Sequence, residues 1–135
     1  MTFKELLLNE GKRGRLPLPK VKSVVPEVIE TYMKRFAKQT KFKRVVNDVE
    51  KFIMVTETSN GYIEDFDDDR KQIIVTITRY YEYKTLDSIQ NEEINIAVRV
   101  DGVEIDGKVT ITDFKVENLK TAVTQLIKDA YKKRD

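Results

Sequence analysis

Five acidic side chains, Glu64, Asp65, Asp67, Asp68 and Asp69, crowd one short stretch of this 135-residue chain. Divalent-cation binding is the first chemistry to consider there. Asp65, Asp67 and Asp69 have the alternate spacing that opens an EF-hand loop. Such a loop needs glycine at its sixth position and a bidentate glutamate at its twelfth. Those positions hold Arg70 and Thr76, so no metal site is expected. A solvated acidic hairpin loop is expected instead. Glu92-Glu93 is a second acidic pair, but acid–base work needs a rigid, partly desolvated setting. The chain has no histidine and no cysteine. That removes the commonest general base, the commonest zinc ligands and all thiolate chemistry. Ser23, Ser59 and Ser88 have no histidine to activate them, and none opens a Ser-x-x-Lys motif. The five glycines form neither GxxxxGK[ST] nor GxGxxG. The expectation is a protein without catalytic residues, metal or cofactor, and not an enzyme.

Binding chemistry is better represented. Residues 11–44 carry eleven basic side chains against two acidic ones, net +9, in a chain whose total is +2. Residues 1–44 are net +8 (twelve basic, four acidic), and residues 45–135 are net −6 (thirteen basic, nineteen acidic). Lys12, Arg13, Arg15, Lys20 and Lys22 lie in a segment containing Gly11, Gly14, Pro17 and Pro19. Those residues favour an extended arm over a regular element. Lys41, Lys43 and Arg44 form a smaller basic patch. Together these eight side chains are the expected partner- or phosphate-binding residues. An arm of this density would contact several nucleic-acid phosphates, without base readout and with steep salt dependence. Tyr80 is a single stacking surface, which is not a platform. The same charge would also neutralise an acidic protein surface, on a neighbour or within the chain. The residues leave both readings open. Lys34, Arg35 and Lys38 need neither, because cations favour the end of a helix.

Three kinds of element must position these groups. Val25, Val28, Ile29, Tyr32, Met33 and Phe36 form one apolar stripe, predicting a helix over residues 24–38. Ser23 is the expected cap, and Pro26 lies in the first turn. Leu119, Val123, Leu126, Ile127, Ala130 and Tyr131 predict a second helix over residues 115–133. Between them the apolar period changes to two. Residues 40–50 fit either a helical period, on Phe42, Val45, Val46 and Val49, or two short strands around an Asn47-Asp48 turn. The β-branched pairs and turn residues favour the strands, and residues 51–58 suggest a further strand. Residues 59–70 suggest a loop opening on an Asn60-Gly61 turn. Residues 71–84 put Ile73, Val75, Ile77, Tyr81 and Tyr83 on one face, with Arg79 among them. Residues 92–100 alternate likewise, Asp101-Gly102 marks a hairpin, and Asp106-Gly107 marks a bulge or second turn in the return strand. The expected fold is α+β: an antiparallel meander of four or five strands, packed by the two helices and preceded by the basic arm. Residues 24–135 form the single domain, residues 11–23 the arm, and residues 1–10 a short helix. No apolar run approaches the ~20 residues that span a bilayer, so no membrane partner is expected.

That first helix carries the one resemblance. Thr2 and Glu5 have capping-box spacing, and Phe3, Leu6 and Leu7 are its apolar side chains. So short a helix needs a surface to pack on, its own domain or another protein. Leu8-Asn9-Glu10 followed by Gly11 then looks like a prohead-protease site. Residues 1–11 thus resemble the capsid-targeting peptides of internal head proteins in T-even-like tailed phages. The resemblance implies that Phe3, Leu6 and Leu7 dock the chain, and that cleavage follows Glu10, leaving the basic arm beside packaged DNA. A chain that keeps its peptide fits a tail, neck or baseplate component instead. The expected function is a non-enzymatic virion structural or assembly protein, located in the virion or the host cytoplasm. Its expected partners are other virion proteins in an oligomeric assembly, and non-specifically bound nucleic acid. The alternative is a small nucleic-acid-binding or host-directed regulatory protein of a phage.

Overall fold

A computed structural model describes residues 17–21, 23–64, 72–110 and 112–134. The order is α1 (Val25–Phe36), β1 (Lys38–Val49), β2 (Phe52–Glu64), β3 (Gln72–Tyr83), β4 (Gln90–Val100), β5 (Val103–Val109) and α2 (Val116–Arg134). The strands form one antiparallel sheet in the order β1-β2-β3-β4-β5. The fold is therefore α+β, with both helices on one face of a five-stranded meander.

Alternation decides which face is buried. Ile73, Val75 and Ile77 of β3 and Ile94, Ile96 and Val98 of β4 point inward. They meet Ile29, Tyr32 and Met33 of α1 and Leu119, Val123 and Ala130 of α2. Thr56, Thr58, Asn60, Thr76, Thr78 and Asn95 alternate with that set, on the open face. The length of the strands creates a second problem. β2 has 13 residues, about 40 Å at ~3.3 Å per residue, whereas the 12-residue α1 is only about 18 Å long. The helices leave one end of the inner face uncovered. There Ile53, Val55, Tyr81 and Tyr83 form a separate buried cluster, covered by Leu18, Leu86 and Ile89. Residues 17–20 cross that end as a strap. Tyr83 Oη donates to the Pro17 carbonyl at 2.8 Å, and the Lys20 amide donates to the Leu86 carbonyl at 3.1 Å.

Several local expectations are corrected. Residues 40–50 are one strand rather than two. The register runs unbroken from Lys41 to Val49, so Phe42, Arg44 and Val46 all face inward. The reversal lies at Glu50-Lys51, where Glu50 adopts φ 46°. Asn60-Gly61 is strand interior, since β2 continues to Glu64. Gly61 serves close packing instead: a Cβ there would lie 2.9 Å from Met33 Cε and 3.0 Å from Ala37 Cβ. Gly107 likewise sits opposite Ile96 within β5, with Leu126 against it. Asp101-Gly102 is the expected tight hairpin, with φ of 49° and 81°. Val24 rather than Ser23 is the N-cap of α1. The Ser23 hydroxyl still accepts from the Val25 amide at 3.3 Å. α1 ends early at Phe36, because Ala37 turns extended and leads straight into β1. The acidic stretch 65–70 lies outside the described residues.

Candidate functional site

The site grows from the outer edge of the sheet. β1 is 12 residues long and exposed along nearly all of its length. Among the described residues no strand pairs with its outer side. Such an edge presents a row of unpaired backbone donors and acceptors. The opposite edge, β5, has only 7 residues and lies under α2. β1 divides its side chains between two environments. Lys41, Lys43, Val45 and Asn47 lie on the open face, while Phe42, Arg44, Val46 and Asp48 lie on the helix face. The expected patch of Lys41, Lys43 and Arg44 is thus split by the sheet.

Arg44 begins a charged row that runs inward across four strands. Arg44 stands opposite Glu57, and Glu57 opposite Arg79. Arg44 Nη2 and Nε donate to Glu57 Oε2 at 2.8 and 3.0 Å. Arg79 Nη1 donates to Glu57 Oε1 at 2.7 Å, and Arg79 Nε donates to Glu92 Oε2 at 2.6 Å. The guanidinium also lies 4.3 Å from the Tyr81 ring centroid. The side chains of Arg79 and Glu57 are only 8% and 9% exposed, while Arg44 is 41% exposed. The row separates the two hydrophobic clusters. Buried charges survive only when paired, and here two cations meet two anions. Both oxygens of Glu57 already accept hydrogen bonds, so this carboxylate is held as a fixed acceptor rather than offered as a base. Burial, followed by the charge of Glu57, raises the Tyr81 hydroxyl above its ordinary range.

A half-open groove of roughly 440 Å³ lies between α1 and this corner of the sheet. It is lined by Ile29 and Met33 of α1, Lys41, Phe42 and Arg44 of β1, Glu57 and Ser59 of β2, and Arg79 of β3. Phe42 is 60% exposed, the largest exposure of any apolar side chain on the sheet. At the exposed rim of the groove, Glu30 pairs with Lys34 at 2.8 Å, and that hydrogen bond holds its carboxyl below the usual range. Among the described residues no group of three or more acidic side chains is placed to hold a metal, and no helix is long and apolar enough to cross a membrane.

The structure gathers only some of the sequence-predicted residues. Lys20 lies exposed on the strap. Lys41 and Lys43 are exposed on the edge strand, and Arg44 is bound into the charged row. Lys12, Arg13, Arg15 and Lys22 lie outside the described residues. So do Phe3, Leu6 and Leu7 of the docking peptide and Leu8, Glu10 and Gly11 of the cleavage site. Glu57 and the groove are additions from the structure. Comparison with protein-family models, curated proteins and solved structures finds no match to this chain.

Proposed function

We propose that this chain is a non-enzymatic assembly protein of a tailed-phage particle. It binds neighbouring virion proteins or packaged DNA through its N-terminal peptide and basic arm. The observation that carries this reading is the anchoring of the arm. Tyr83 and Leu86 fasten residues 17–20 to the sheet, directly after the basic run of Lys12, Arg13 and Arg15 in the sequence. A segment fastened at that point is suited to carrying a basic sequence to a partner. The virion assignment itself rests on the resemblance of residues 1–11.

Two measurements test the proposal. Purified particles should contain the chain, with an N-terminus at Gly11 if the peptide is an address and at Met1 if it is a permanent dock. Absence from particles ends the virion reading. Titration of DNA binding against salt separates the partners. Affinity should fall with a log–log slope of about −0.9 per phosphate contacted. Changing Lys12, Arg13 and Arg15 together to alanine should flatten that slope by about three such contacts. The strap is left intact in this variant. No DNA binding at low salt would leave virion proteins as the arm's partner.

A further inference from the structure

We propose that the outer edge of β1 is a second binding site. It takes an extended segment of a partner protein in which carboxylate and apolar side chains alternate. The site is independent of the virion reading, because it uses none of residues 1–16. Three observations converge on it. The edge is long, exposed and unpaired among the described residues, the geometry that accepts an added strand through main-chain hydrogen bonds. Its open face carries Lys41 and Lys43, which make no ion pair among the described residues, whereas Lys38 is bound to Glu64 at 2.8 Å and Arg44 to Glu57. Its helix face carries the exposed Phe42 beside a groove whose lining includes Ile29 and Met33 and the rim pair Glu30 and Lys34.

Strand geometry turns these observations into a pattern. Successive side chains of an added strand point to opposite faces. Those on the open face fall beside Lys41 and Lys43, where carboxylates are favoured across the pair. Those on the other face enter the groove beside Phe42, where an aliphatic side chain fits. A second copy of this chain fits poorly, because antiparallel pairing of two β1 edges would bring four lysines into one seam. Nucleic acid would satisfy the lysines but would use neither the backbone edge nor the apolar side chains of the groove.

The test uses the full chain and a short blocked peptide in which aspartate alternates with isoleucine. Three comparison probes accompany it: a peptide of the same composition with its acids and isoleucines in separate blocks, a peptide with lysine replacing aspartate, and single-stranded DNA of equal charge. The alternating acidic peptide should bind at least tenfold more tightly than any of them. Alternate β1 amides should exchange rapidly with solvent in the free protein and slow when the peptide binds. Lys41→Glu with Lys43→Glu should leave the melting temperature nearly unchanged and reverse the preference toward the lysine peptide. Equal binding of the blocked-out peptide, tighter binding of DNA, or indifference to the charge reversal would each overturn the proposal. So would slow exchange of all β1 amides in the free protein. Sedimentation would then show whether a second copy or the chain's own segment occupies the edge.

Discussion

Glu57 holds two guanidinium groups with one carboxylate, and the inner face of the sheet depends on it at that point. Removing one member of a buried ion pair leaves an uncompensated charge, a loss of about 3–5 kcal/mol. Glu57→Gln should therefore lower stability by roughly that amount in urea unfolding. A loss below about 1 kcal/mol would mean that Arg79 finds Glu92 sufficient by itself. Half of this arrangement was legible in the sequence. Arg79 interrupts a run of inward Ile, Val and Tyr, and a charge on an apolar face requires a partner. Glu57 follows Ile53 and Val55 at the same alternation, the signal that could have marked it as a partner, but its pairing with Arg79 comes only from the register of β2 on β3. The pairing of Glu57 with Arg44 was not legible. It required β1 to be one continuous strand, and Asn47-Asp48 suggested a turn there.

At the scale of elements, the strap decides what becomes of the uncovered end of the sheet. Its main polar tie is the Tyr83 hydroxyl, whose pKa burial pushes up to about 12, with the neighbouring Tyr81 and Asp48 adding to the effect. The unfolded chain releases this proton near pH 10. Between about pH 10 and pH 12 the native state therefore binds more protons than the unfolded state. The contribution is fully present below pH 10 and is lost as pH rises through the native value. Burial of Tyr32 acts in the same direction. Unfolding midpoints should fall with alkalinity over this range, and less steeply in Tyr83→Phe. At neutral pH that variant should be less stable by about 0.5–1.5 kcal/mol, the net worth of one hydrogen bond. The two helices, β3, β4 and the Asp101-Gly102 hairpin were legible because each has one dominant period or a specific turn chemistry. Gly61 and Gly107 misled for a physical reason. Glycine serves close approach as well as turning, and Met33, Ala37 and Leu126, all distant in sequence, decide which.

At the scale of the whole molecule, the order of strands in space is their order along the chain. Each pairing therefore forms between neighbours already made, a topology with modest loop-closure demands. The covering of the sheet follows a different schedule. α1 precedes every strand, while α2 follows them all, and Leu119, Val123 and Ala130 of α2 complete the main buried cluster. Leu119→Ala should lower stability by about 2–5 kcal/mol. If α2 docks last, a denaturant series will show that loss mainly as faster unfolding, with refolding little changed. During synthesis the strands leave the ribosome before that helix does. Without α2, Ile94, Ile96 and Val98 would be paired in the sheet but lack part of their cover. A chain truncated at Thr110 should therefore form a sheet that aggregates, because one of its two covering helices is missing.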